Sequence, residues 1–121
     1  MKLSDLQQIV ISALEEIKAR DIEVIDTSQL TSQFERIIVA SGDSGRQTRA
    51  LAHNVLDRAY AAGVKVLGIE GEENGEWVLV DLGEIVVHIM QPAIRAYYRL
   101  EELWTAPLPR SAAAAGSAAG A

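Results

Sequence analysis

The chain contains no cysteine. Disulfides, thiolate metal sites and cysteine nucleophiles are therefore excluded, a usage that fits a reducing compartment. No apolar run approaches the ~20 residues that a membrane span needs. The N-terminal MKLSDLQQIV has one lysine and no hydrophobic stretch long enough for a signal peptide. It also lacks the Arg/Ser-rich, acid-poor character of an organellar transit peptide, so a soluble cytoplasmic protein is expected. Basic residues are in deficit: 11 Lys and Arg stand against 17 Asp and Glu, a formal net charge of −6. Proteins that grip nucleic acid through its phosphates usually carry the opposite sign. The balance points to little or no direct nucleic-acid contact and makes a basic protein the better partner.

What remains is sufficient for one domain. In 121 residues, 49% of them hydrophobic, folding buries roughly two-thirds of the unfolded chain's surface. A capping box at Ser4 and Gln7 predicts the first helix, with a stripe of Leu6, Ile9, Val10, Ala13, Leu14 and Ile17. Lys18 and Arg20 are expected at its C-terminal end, where the helix dipole favours cations. IEVIDTS and FERIIVASG read as strands. SGDSGRQ turns into a second helix capped by Ser44, with a stripe of Leu51, Ala52, Val55, Leu56, Ala59 and Tyr60, ending at Gly63. VKVLGIEG follows as a strand, which predicts a parallel pair across a helical crossover. A hairpin and a helix opening at Pro92 complete the pattern, with LEELW adding a last turn. The expected fold is a single α/β domain over residues 1–108, order αββαβββα, with a mixed five-stranded sheet and flanking helices. Residues 109–121 (PRSAAAAGSAAGA with its low-complexity alanines) are expected to be a disordered tail.

The hairpin GEWVLVDLGEIVVHIMQ, residues 75–91, is unusual because both side-chain parities are apolar. A one-faced strand alternates. With Leu82–Gly83 at the centre of the turn, Asp81 faces Glu84, Leu79 faces Val86 and Trp77 faces His88. One face then carries Val78, Val80, Ile85, Val87 and Ile89, the β-branched surface that packs under helices. The other carries Trp77, Leu79, Asp81, His88 and Met90. Two readings fit this pattern: helices cover both faces, or the mixed face is a docking surface, since Trp, Tyr and Met are enriched at interfaces.

Other candidate chemistry is weaker. The SGDSGRQTR loop, with Arg46 and Arg49, could present backbone N–H groups to a phosphate, but it has neither a Walker-type Lys-Ser/Thr nor dinucleotide glycine spacing. A Ser44–His88–Asp81 triad would need Asp81 and His88 to meet from opposite strands, and His53, the only other histidine, lies inside a helix. Glu70, Glu72, Glu73 and Glu76 form an acidic run without metal-loop spacing. Beside Trp77 they could steer a basic partner.

Three separated segments, ASGDSGRQTRALA (40–52), LGIEGEENGEWVLVDLGEIVVHIM (67–90) and RAYYRLEELW (95–104), resemble the ribosomal silencing factor family, also called Iojap-related. The resemblance spans about residues 1–105. It implies a non-enzymatic translational repressor without cofactor or metal. Such a factor binds the large ribosomal subunit through large-subunit ribosomal protein fourteen, on the face that meets the small subunit, and sterically blocks subunit joining. It also implies a nucleotidyltransferase-like fold and, in some members, a homodimer when free. By resemblance the partner-binding residues are Trp77, Leu79, Asp81, His88 and Met90, with Tyr97 or Tyr98 beside them. The Gly-Ser turn of nucleotidyltransferases has only a reversed echo in Ser41–Gly42. No Asp-x-Asp pair for metal-assisted transfer occurs, so the scaffold is expected to do no chemistry. The alternative reading is a nucleotide- or phosphate-binding enzyme built on SGDSGRQ.

Overall fold

The structure, a computed structural model, describes residues 1–99. The last turn expected at LEELW, the domain end at 108 and the tail lie outside the described residues. Helix α1 (Leu3–Glu16) is followed by strands β1 (Arg20–Asp26) and β2 (Arg36–Ser41), helix α2 (Gly45–Ala61), strands β3 (Gly68–Glu70), β4 (Trp77–Asp81) and β5 (Ile85–Met90), and helix α3 (Pro92–Tyr98). The expected element order holds, in one mixed five-stranded sheet ordered β1-β2-β5-β4-β3. Among the described residues no helix is long and apolar enough to cross a membrane.

Strand β5 takes the middle of the sheet because it is apolar on both parities. All six of its residues are buried, the pattern of a strand covered on two sides. It runs parallel to β2 and antiparallel to β4. This placement corrects the expected crossover: β2 and β3 run in the same direction but are not neighbours, since β5 and β4 lie between them. Of the VKVLGIEG run only Gly68–Glu70 joins the ladder, at the sheet edge.

Helices α1 and α2 pack together on one face. Leu6, Val10, Ala13 and Leu14 of α1 meet Leu51, Ala52, Val55 and Ala59 of α2 over Ile38, Ala40, Val78, Val80, Ile85, Val87 and Ile89 of the sheet. Tyr60, expected in the α2 stripe, is exposed instead, and the buried polar Thr48 joins the stripe. At the wet edge of the pair, Asn54 donates to the Ala13 carbonyl and to Glu16, and Arg58 donates to Glu16 through Nε and Nη2. The Asn54 hydrogen bond, with help from Arg58, holds the Glu16 carboxyl below its usual range.

The two helices end alike, but α1 begins differently from expectation, whereas α2 starts at its expected Ser44 cap. Helix α1 starts at Leu3 after an extended Lys2, without a side-chain cap, so the Ser4–Gln7 box does not form. The earlier start lets Leu3 pack against the core. In both C-termini the N–H two residues past the helix cap reaches back a full turn: Ala19 to the Leu14 carbonyl, and Val64 to the Ala59 carbonyl, both with a companion bond one residue inside. This geometry needs a left-handed residue. Gly63 supplies it for α2 at φ +76, whereas α1 uses Lys18 at φ +62. Lys18 is thus a backbone element of the stop, not a cation on the last turn, and Arg20 lies already in β1.

A lysine held left-handed is strained relative to glycine. Lys18→Gly is expected to raise unfolding stability by about 0.5–1 kcal/mol, measured by urea denaturation. The matching change Gly63→Lys should lower it by a similar amount.

Candidate functional site

The hairpin register differs from the expected one by two residues. Trp77 pairs with Met90, Leu79 with His88 and Asp81 with Val86. The turn is centred on Gly83–Glu84, with the Leu82 N–H donating to the Ile85 carbonyl. Asp81 closes it by accepting the Gly83 N–H at 2.9 Å. A two-residue slip preserves the faces, so Trp77, Leu79, Asp81, Val86, His88 and Met90 do share the side away from α1 and α2. Ile37 and Val39 of β2 extend it, packing with Ile25 and Phe34.

This side is only partly open. Met90 is 0% exposed and His88 9%, so neither offers itself directly to a partner, contrary to expectation. They belong to the central strand, and its second face is buried as well. Trp77, Leu79 and Asp81 are half-buried. Both tyrosines face solvent, Tyr97 at 78% and Tyr98 at 51%. Tyr98 packs its ring against Trp77 with centroids 4.9 Å apart, and Tyr97 meets Tyr98 edge-on at 5.0 Å. The result is an aromatic ridge beside a groove lined by Phe34, Ile37, Leu79 and Val86 and rimmed by Glu35, Glu70, Asp81 and Glu84. Leu67, 59% exposed at the same edge, extends the apolar surface. Sequence reasoning missed it by placing it inside a strand.

Under the ridge, the Trp77 indole donates to His88 Nδ1 at 3.0 Å. The proton of the neutral ring therefore sits on Nε2. Burial disfavours the imidazolium and lowers the His88 pKa from 6.5 to about 4. His88 acts as a neutral acceptor that orients Trp77.

The competing sites do not assemble. Ser44 Oγ accepts the Gln47 N–H as the α2 cap, His88 Nδ1 is occupied by Trp77 and Asp81 by Gly83, so each member of the proposed triad serves local structure. The SGDSGRQ turn is covered by the β3–β4 loop. A Cβ on Gly75, at φ +70, would lie 2.7 Å from the Gly45 Cα, and a Cβ on Gly45 would lie 3.1 Å from the Asn74 carbonyl oxygen. Backbone thus occupies the space over the helix start that a phosphate would need. Of the loop cations, Arg49 turns to the Glu73 carbonyl and Arg46 is exposed. In the acidic run, Glu72 pairs with His53 at 2.9 Å.

With this arrangement in view, the sequence pattern described as "Ribosomal silencing factor during starvation" matches residues 1–118. The chain belongs to the ribosomal silencing factor family. A Chromobacterium violaceum member, named ribosomal silencing factor RsfS, is 51% identical over 115 residues, covering 95% of this chain and 94% of its own. A crystal structure of a protein from the same organism superposes with a TM-score of 0.86 at 52% identity, covering 90% of this chain and 91% of its own. A mouse relative named mitochondrial assembly of ribosomal large subunit protein 1 is 32% identical over 100 residues, which are 80% of this chain and 44% of that one. The Trp77–Tyr98 ridge is built on a buried, neutral histidine, and this has a consequence for stability against pH.

The unfolded chain protonates His88 near pH 6.5, the folded chain near 4. The stabilisation is complete above pH 6.5 and is lost as pH falls to about 4, some ~3 kcal/mol in all. Urea unfolding across that window should show this loss in the native chain and a smaller one in His88→Gln, which removes the titrating group.

Proposed function

We propose that this chain represses translation by docking its Trp77–Tyr98 face on a large-subunit ribosomal protein at the intersubunit surface, where it blocks joining of the subunits. The fourteenth large-subunit protein is the partner that the family resemblance implies, and the cytoplasm the place of action. The observation that carries the reading is the aromatic ridge, set beside a groove with carboxylates at its rim and standing free of the two core-packing helices. An apolar, aromatic centre with a charged rim is the anatomy of a specific protein interface. The acidic rim suits a basic ribosomal protein better than the phosphates of RNA. The family membership and the mouse relative's name, which places that protein in assembly of the large ribosomal subunit, support the same direction. No step in this function requires a cofactor or a reaction. Occupancy is the mechanism: a domain of this size seated on a mating surface excludes whatever would otherwise meet it.

Trp77→Ala should cost about 2 kcal/mol or more of binding energy, roughly thirty-fold in Kd, as an aromatic anchor does. Co-sedimentation with purified large subunits and a subunit-joining assay read this out, with circular dichroism controlling for fold. Tyr97→Ala removes an exposed ring without touching the His88 bond and should weaken binding while leaving stability unchanged. Raised salt should slow association, because the steering charges are exposed. A folded Trp77→Ala chain that still binds and blocks joining would overturn the assigned surface. Self-association of the native chain with no affinity for subunits would make a second copy the occupant instead. Magnesium-dependent nucleotide binding lost on changing Arg46 would favour the enzyme reading.

A further inference from the structure

Helix α3 carries the two exposed tyrosines of the ridge, yet none of its residues is fully buried. A helix of seven residues does not hold itself in water, so its seat depends on tethers to the rest of the fold. Two are polar. In the middle of the helix, Arg95 Nη1 donates to the Ser41 hydroxyl at 2.9 Å and to the Asp21 carbonyl at 2.6 Å. At its start, Gln91 is the N-cap residue, but its side chain does not cap the helix. It donates instead to the Gly75 carbonyl at 3.2 Å, while its backbone N–H donates to the Glu76 carbonyl at 2.9 Å.

The Gly75 carbonyl has a second donor. The Thr48 hydroxyl of α2 approaches it at 2.5 Å in a buried contact, nearer than the Gly45 carbonyl of its own helix at 2.9 Å. A carbonyl oxygen has two lone pairs, and here both are used: one by α2, the other by the start of α3. The loop between them is pinned, since Gly75 lies too close to Gly45 for any side chain. Trp77 follows Gly75 by two residues, and Tyr98 follows Gln91 by seven. The segments that carry the two rings, which meet at 4.9 Å, thus share one acceptor.

We propose that Thr48 and Gln91 are positioning residues of the docking face, setting the Trp77–Tyr98 contact through the Gly75 carbonyl before any partner arrives. Preorganisation of this kind lowers the ordering cost of binding. Its effect on binding rests on the docking function proposed above; its effect on the free protein does not.

The test uses the full chain with Trp104→Phe, leaving Trp77 as the sole indole. Acrylamide quenching of Trp77 in the free protein is measured alongside affinity for purified large subunits and urea stability. Thr48→Val, which keeps shape but loses the donor, and Gln91→Ala should each raise quenching and weaken binding roughly ten-fold. Thr48→Ser restores the hydroxyl and should return both readouts to the native level. The double variant should lose less than the product of the single losses, because both donors act on one acceptor. If Thr48→Val fails to fold, Gln91→Ala decides alone. Unchanged quenching in the folded variants overturns the proposal, whatever happens to binding. Raised quenching in a native background that never bound subunits would uphold the positioning role and remove the docking function.

Discussion

Burial of β5 on both faces is the constraint from which the rest follows. Its six residues are all buried, so it must occupy the centre of the sheet and have cover above and below. One cover is the α1–α2 pair, whose small and aliphatic residues meet a β-branched surface. The other side holds Val86, His88 and Met90, and the half-buried Trp77 and Leu79 of β4 share it. A central strand burying a histidine on that second side needs a polar partner for the ring. Trp77 supplies it, and the indole is held where it can meet Tyr98.

The same constraint separates buried support from exposed surface. Residues on β5 hold the ridge from beneath, while residues on β4 and α3 present it. His88 and Met90 belong to the first group, Trp77, Leu79, Tyr97 and Tyr98 to the second. Acidic side chains gather at the strand ends and loops around them, where carboxylates stay hydrated at little cost. The fold therefore separates the apolar ridge from the charged groups around it, and polar ties from Gln91 and Arg95 take the place of burial in seating the short α3.

Much of this was legible in the chain because it depends on local periodicity. Element order followed from apolar spacing, the Ser44 cap from side-chain chemistry, and the two hairpin faces from alternation. The register was wrong by two residues, yet the faces survived, since a period-two pattern returns to itself after a slip of two. Where the reading failed, the missing information was non-local. The Ser4–Gln7 box was a valid local motif that gave way to an earlier start, with Leu3 packed partly buried against the core. The β2–β3 pairing was a sound local inference undone by a later hairpin inserting between them. Lys18 in a glycine position carries no sequence signal at all.

The amino-acid order alone was enough to specify a cysteine-free α/β domain, its helices and strands, and a Trp-bearing sheet face distinct from the aliphatic one, because propensity and periodicity act over neighbouring residues. It was also enough for the family, whose resemblance rests on three segments spaced along the chain. Only the tertiary structure decided which residues of that face reach solvent, that Asp81 closes a turn, that His88 is a neutral acceptor, and that Thr48 and Gln91 share one carbonyl. Each of these depends on chain segments that meet only after folding, where depth beneath neighbours and the supply of donors and acceptors outweigh any preference written locally.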